Sequence, residues 1–339
     1  MDERYSRQMM FTPIGKEGQR KLSKKHVLIV GAGALGTGNA EVLTRAGVGE
    51  ITILDRDYIE WSNLHRQQLY VEGDAEQQIP KAVATKEQLQ RINSKVKINA
   101  HVLDVTPYEI DFYSNGVDLI LDATDNFETR MMMNDVSQKK KIPWIYGSCV
   151  GSYGISFTII PQETPCLNCL LDSVPVGGLT CETAGIIGPT VNMVVVQQST
   201  ECLKILVEDW DALRNNLISF DLWTNEQSQI DVTKLKRSDC TSCGSVPTYP
   251  FISFGNTIKT AVLCGRDAVQ ISPPNREKRN LQKMTENLLK NRHKVAVNPF
   301  LLSLTTEEHR LVLFQDGRAI VHGTNDIVKA KTLYHRYFG

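Results

Sequence analysis

Val27-Leu28-Ile29-Val30-Gly31-Ala32-Gly33-Ala34-Leu35-Gly36 decides the fold. The first four residues are an apolar run rich in β-branched side chains, as in a short strand. Glycines at 31, 33 and 36 then let the backbone turn tightly and approach a pyrophosphate closely. In such a strand–turn–helix unit the helix N-terminus offers unpaired N–H donors to the anion, and an acid ending the second strand holds a ribose hydroxyl. Asp55, closing Ile51-Thr52-Ile53-Leu54, is that acid. Gly31, Gly33, Gly36 and Asp55 together predict a site for an adenosine nucleotide. The plainer alternative is a glycine turn that only packs a helix on a sheet.

The segment Asp57-Tyr58-Ile59-Glu60-Trp61-Ser62-Asn63-Leu64-His65-Arg66-Gln67-Gln68 carries more polar function than a simple connection needs. A nicotinamide enzyme requires only the acid here, because its cofactor continues across the switch point to the other half of the sheet. Asn63, Arg66 and, further on, Lys81 instead offer donors to a triphosphate, Arg as a planar fork and Lys as a compact point charge. Taken singly, each is an ordinary solvated residue; their company makes the case against a dehydrogenase.

Strand and helix patterns alternate through the first half of the chain: strands at 27–30, 51–54, 98–103, 117–122 and 142–146, helices at 35–46 and 81–92, the latter with Pro80 at its start. Alternation with short connections implies a Rossmann-like, mainly parallel sheet with helices on both faces. Runs at 152–160 and 218–222 read as an antiparallel continuation around a helix at 190–206. An N-terminal helical arm over 1–25 precedes this body at 26–245. Composition changes at Val246-Pro247-Thr248-Tyr249-Pro250, and 251–339 reads as a small α+β appendage. In it we expect a strand at 261–271, a helix at 281–290, two strands within 300–314, a turn at Asp316-Gly317-Arg318 and a closing helix at 325–337.

The 339 residues carry 38 basic and 38 acidic side chains, so no net field favours nucleic acid or an anionic membrane. A hydrophobic content of 41% supports a globular core. No apolar run approaches the roughly 20 residues of a membrane span, and Met1-Asp2-Glu3-Arg4 opens without a signal peptide's apolar core. These features point to the cytoplasm. Eight cysteines then suggest metal ligation or thiol chemistry rather than disulfides.

Cys166-Leu167-Asn168-Cys169 and Cys240-Thr241-Ser242-Cys243 are two CxxC knuckles, the set required for a closed tetrahedral zinc site of structural type. The alternative is redox chemistry, disfavoured because neither pair opens a thioredoxin-like helix after a strand. Cys149, Cys202 and Cys264 sit in apolar sequence and read as packing residues. Asp122 and Asp125 follow the strand at 117–121, at the carboxyl edge where open α/β sheets bind ligands, and a carboxylate there can hold Mg²⁺ against a triphosphate. Both acids could equally cap the helix beginning at Asn126. Cys181 lies in the glycine-rich stretch Val176-Gly177-Gly178-Leu179-Thr180-Cys181-Glu182-Thr183-Ala184-Gly185, which reads as a crossover loop.

Arg4-Tyr5-Ser6-Arg7-Gln8, the glycine loop, Ser62-Asn63-Leu64-His65-Arg66-Gln67 and Asp122-Ala123-Thr124-Asp125-Asn126 together resemble the MoeB/ThiF/HesA adenylyltransferases, bacterial enzymes of the ubiquitin-activating type. The resemblance covers about residues 1–245. It implies a nucleotidyltransferase that uses ATP and Mg²⁺ to adenylate the C-terminal glycine of a ubiquitin-like sulfur carrier. It implies Asp125 as the magnesium ligand, Asn126 near the adenine or ribose, and a homodimer in which Arg7 reaches into the neighbouring subunit's site. A MoaD-type carrier of molybdopterin synthesis is favoured here over a ThiS-type carrier of thiazole synthesis. Family members of the ThiF kind link their carrier covalently through a cysteine at the place of Cys181, whereas the MoeB kind acts without one. His65 stands where Gln is common in the motif and is given only a space-filling part. A nicotinamide-dependent oxidoreductase and a noncatalytic carrier-binding scaffold remain the competing readings.

Overall fold

The computed structural model describes residues 3–171, 184–253, 259–263, 267–273, 278–290 and 293–338. The chain divides into two compact units, Met1–Phe254 and Gly255–Gly339.

The first unit opens with helices α1 (Ser6–Met10) and α2 (Gly15–Leu22). Strand β1 (His26–Val30), helix α3 (Ala34–Ala46) and strand β2 (Glu50–Asp55) follow, then α4 (Glu72–Glu76), α5 (Lys81–Ile92), β3 (Lys97–Val102), α6 (Pro107–Tyr113), β4 (Leu119–Asp122) and α7 (Phe127–Lys140). Strands β5 (Trp144–Val150) and β6 (Tyr153–Ile159) lead into α8 (Leu167–Leu171) and α9 (Gly188–Val207), and β7 (Asn216–Asp221) and β8 (Glu226–Asp231) complete the unit. The sheet order is β3-β2-β1-β4-β5-β6-β7-β8. Strands β3 to β5 pair in parallel, and β5 to β8 continue antiparallel. This is the expected Rossmann-like sheet with its antiparallel continuation.

Period-two alternation on β1 explains why helices cover both faces. Val27 and Ile29 enter one core with Leu43, Ile51 and Leu206, while Leu28 and Val30 enter the other with Ile120, Trp144 and Phe157. The order of the parallel half reverses at β1, between β2 and β4. That places the switch-point crevice at the carboxyl ends of β1 and β4.

The second unit is a six-stranded antiparallel sheet in the order β11-β12-β13-β14-β10-β9, formed by β9 (Lys259–Leu263), β10 (Ala268–Ser272), β11 (Lys294–Val297), β12 (Leu301–Thr305), β13 (Arg310–Phe314) and β14 (Ala319–His322). Helices α10 (Leu281–Lys290) and α11 (Ile327–Phe338) pack Leu281, Leu288, Tyr334 and Phe338 onto it. The single strand expected at 261–271 is instead two, paired antiparallel with Ala268 opposite Leu263. Three other strands were not among those expected: β8 is exposed along its whole length and β11 nearly so, and neither carries an apolar alternation, while β14 is a short buried run after the turn at Asp316-Gly317-Arg318. Helix α6 was also missed, although Thr106 and Glu109 form a capping box around Pro107.

Candidate nucleotide site and cysteine cluster

The three glycines of the loop do three different jobs. Gly31 has φ +99°, and a Cβ there would fall 2.4 Å from the carbonyl oxygen of Ala123, so side chains are excluded by both conformation and space. At Gly36 a Cβ would lie 2.0 Å from the carbonyl oxygen of Gly31, which forces glycine where α3 meets the strand end. Gly33 is unlike both: an added Cβ meets nothing nearer than Gln67 Nε2 at 3.9 Å. Space is thus kept open at the one glycine whose backbone would approach a pyrophosphate. Gly33 caps α3, whose first-turn N–H groups have no helical acceptor.

Asp55 ends β2 beside this loop. Its Oδ2 accepts from the Ala32 N–H at 2.6 Å and its Oδ1 from the Asp57 N–H at 2.7 Å. Close packing pushes the Asp55 carboxyl up from its usual range, and the Lys81 charge opposes that shift. The acid therefore braces the loop itself, in addition to the ribose contact expected of it.

Lys81 is the first residue of α5 and only 3% exposed. Its Nζ lies 3.4 Å from Asp57 Oδ2, and its N–H donates to the Asp57 carbonyl at 2.9 Å. A buried cation at a helix N-terminus is doubly unfavourable, because desolvation and the helix dipole both oppose it. Asp57 offsets this within the protein, and an anion in the crevice would complete the compensation.

The remaining candidates are less uniform. Asn63 is buried and its Oδ1 accepts from the Glu60 N–H, closing a capping box. Arg66 is half-buried, with Nη1 donating to the Ser62 carbonyl at 2.8 Å. His65 is exposed rather than space-filling, and its Nε2 lies 3.5 Å from Arg66 Nη1. Arg7 is exposed on α1, with Nη1 3.6 Å from Met10 Sδ of the same helix rather than at the glycine loop. Asn126 caps α7, accepting from the Thr129 N–H at 2.9 Å.

The two acids after β4 part company. Asp122 is fully buried and accepts from Arg130 Nε at 3.0 Å and from the backbone and hydroxyl of Thr124. Burial pushes its carboxyl up, while Arg130 holds it down. Arg130 also donates to the Thr124 carbonyl and lies over the Tyr146 ring. This acid is therefore committed to the protein. Asp125 is exposed at the sheet edge, where its charge is felt by Arg56 and Arg130. Asp125 thus has the freedom a magnesium ligand needs.

The four cysteines converge as the knuckles predict. Sγ–Sγ separations are 3.6 Å for Cys166–Cys240, 3.5 Å for Cys169–Cys243 and 3.9 Å for Cys166–Cys169. All four sulfurs lie within 4.8 Å of one another. A tetrahedron with metal–sulfur bonds of about 2.3 Å has edges of about 3.8 Å, so the donor set fits Zn²⁺. Sharing protons among crowded thiols holds Cys169 low, through the bonds it accepts from Cys166 and Cys243, and holds Cys166 high. Cys166 does directly precede a helix, α8, but that helix has only five residues and begins well beyond the end of β6. Cys202 is buried as expected and Cys149 is only partly so; Cys181 and Cys264 lie outside the described residues.

Sequence reasoning missed the residues that hold the knuckles in place. Neighbouring side chains of α7 each fasten one: Asn134 Oδ1 accepts from the Leu167 N–H at 2.8 Å, and Asp135 accepts from Ser242 Oγ at 2.6 Å and the Phe251 N–H at 2.8 Å. The only available signal was a polar pair directly after the apolar run Met131-Met132-Met133. Among the described residues no helix is long and apolar enough to cross a membrane.

The sequence matches the ThiF family over residues 5–242. It is 50% identical to the sulfur carrier protein ThiS adenylyltransferase of Bacillus subtilis over the full length of both chains. It is 33% identical to the sulfur carrier protein adenylyltransferase of Thermus thermophilus, over 73% of this chain and 92% of that one. It is 34% identical to the adenylyltransferase and sulfurtransferase MOCS3 of Culex quinquefasciatus, over 72% of this chain and 56% of that one. Among solved structures, Escherichia coli MccB with ATP superposes with a TM-score of 0.62 at 22% identity, covering 72% of this chain and 75% of that one. That likeness speaks for the fold alone.

Proposed function

We propose, for a chain that belongs to the ThiF family, that its reaction is ATP-dependent adenylation of the C-terminal glycine of a ubiquitin-like sulfur carrier, with the ThiS type as substrate. The single observation that carries the nucleotide reading is the open space at Gly33, beside the caps of α3 and α5 and the buried Lys81. Against a nicotinamide oxidoreductase or a scaffold without ATP stand Arg66, Lys81 and the paired cysteine knuckles, for which neither reading has a use.

The choice of carrier reverses the preference for a MoaD type that came with the family resemblance. The Bacillus subtilis relative, whose name specifies ThiS, aligns through the second unit as well as the first, whereas the Thermus thermophilus and MOCS3 relatives align over 73% and 72% of this chain. The shared appendage is what the nucleotide motifs could not report.

In the proposed reaction the carrier carboxylate is already ionised at neutral pH and needs no general base. Its oxygen attacks the α-phosphorus of ATP; a P–O bond forms, the bond to the bridging oxygen breaks, and pyrophosphate leaves. Gly33 and the first turn of α3 receive the phosphates, Lys81 and Arg66 neutralise charge on the leaving pyrophosphate, and Asn63 and Arg7 of a second copy complete the site. Asp55 takes the ribose and Asn126 lies near the nucleoside. Asp125 would hold Mg²⁺, which supplies charge neutralisation across the phosphate oxygens. Cys166, Cys169, Cys240 and Cys243 would hold a structural Zn²⁺. In a second step the Cys181 thiolate attacks the acyl-adenylate carbonyl; a C–S bond forms, the C–O bond to phosphate breaks and AMP leaves. The arm at 1–25 and the body at 26–245 carry this chemistry, and none is assigned to 251–339.

Carrier-dependent ATP–pyrophosphate exchange, with ThiS-type and MoaD-type carriers offered separately, tests the proposal. Exchange with the ThiS type is expected. Exchange with the MoaD type alone would reverse the substrate assignment, and tight NADH binding without ATP binding would overturn the reaction class.

A further inference from the structure

We propose that Tyr70 is a positioning residue for the triphosphate: its single hydroxyl ties the glycine loop to the helix that presents Lys81. The inference rests on the nucleotide reading above and deepens it. Tyr70 is buried, and its hydroxyl lies 2.6 Å from the Ala32 carbonyl, 2.9 Å from Thr85 Oγ1 and 3.2 Å from the Lys81 carbonyl. Ala32 is the residue between Gly31 and Gly33, and Lys81 and Thr85 lie on the first two turns of α5. One oxygen therefore spans two elements far apart in sequence that must converge on the same phosphates.

A phenol has one proton to donate. The shortest bond assigns it to the Ala32 carbonyl, leaving Thr85 to donate its own hydroxyl proton to the Tyr70 oxygen. Ala32 is then gripped from both sides, with its N–H held by Asp55 and its carbonyl by Tyr70. That fixes the peptide planes on either side of Ala32, the second of which leads into Gly33, the position with open space in front of it. Burial, reinforced by the Asp55 charge, keeps the phenol protonated far above the ordinary range, so the donor persists at any working pH.

Tyr70→Phe removes only this oxygen. With the full-length protein, the loss of about one net hydrogen bond's worth of ordering predicts a rise of about fivefold in the ATP dissociation constant and in KM for ATP, with kcat within about twofold. Thr85→Val should reproduce part of the effect, and Thr85→Ser should restore wild-type affinity. A merely structural role would lower thermal stability while leaving ATP affinity unchanged at a temperature where every variant is folded. Wild-type affinity in Tyr70→Phe, with or without a lower Tm, overturns the inference. Failure of the wild-type protein to bind ATP overturns instead the nucleotide reading beneath it.

Discussion

Gly33→Ala and Gly36→Ala should separate nucleotide binding from folding. At Gly36 the new methyl would sit 2.0 Å from the Gly31 carbonyl oxygen and 2.9 Å from its carbon, both backbone atoms that no rotamer change can move. The strand–helix junction must open, at a cost of about 3 kcal/mol or more. For a unit of this size that corresponds to a fall in Tm of roughly 6–12 °C. At Gly33 the nearest atom is 3.9 Å away and φ is −79°, which alanine accepts. Folding stability should therefore change by less than about 1 kcal/mol, because no atom clashes with the new methyl. The methyl would nevertheless occupy the space in which a phosphate must come within hydrogen-bond distance of the backbone, so ATP affinity should fall by about tenfold or more. Differential scanning calorimetry and titration calorimetry with ATP measure the two effects on the same samples. Wild-type ATP affinity in a well-folded Gly33→Ala protein would refute the placement of the phosphates at this loop.

Asp125→Ala and Arg66→Ala should each abolish carrier-dependent exchange while leaving Tm near wild type; normal exchange in both variants would remove them from the site. Asp122→Ala, by contrast, strands the buried Arg130 guanidinium and should destabilise the protein by about 3–5 kcal/mol, visible as a lowered urea midpoint. Elemental analysis should find about one zinc per chain, and Asp135→Ala should weaken its retention against a chelator by freeing Ser242 and Phe251; protein without stoichiometric metal contradicts the assignment. Mass spectrometry of enzyme trapped with ATP and a ThiS-type carrier should show the carrier joined to Cys181, and an unmodified cysteine would exclude the covalent step. His26 and His101 are held below the ordinary imidazole value of 6.5, chiefly by burial. Their depressed folded pKa values contribute stability that is full above pH 6.5 and lost as pH falls through them. The Tm should decline as pH falls below about 6.5, and the double variant His26→Gln/His101→Gln should flatten that decline; an undiminished slope counts against it.

Local chemistry explains how much could be read along the chain. A Gly31-x-Gly33-x-x-Gly36 spacing after a β-branched run, an acid ending the next strand and two CxxC pairs each encode their structure within a few residues, so the parallel sheet, the turn and the cysteine cluster follow directly. Strands such as β8 carry no such signal, because both of their faces meet solvent and only hydrogen bonds to β7 make them strands.

The roles of individual acids and anchors were decided by packing between distant segments. Asp122 and Asp125 are indistinguishable in the motif, yet one lies buried against Arg130 and the other stands exposed at the edge. Which glycine faces open space, which tyrosine oxygen reaches both Ala32 and Thr85, and which α7 side chains fasten the knuckles depend on contacts across long sequence separations. Residue spacing encodes backbone geometry along a few turns; desolvation and hydrogen-bond partnership arise only when the strands and helices close on one another.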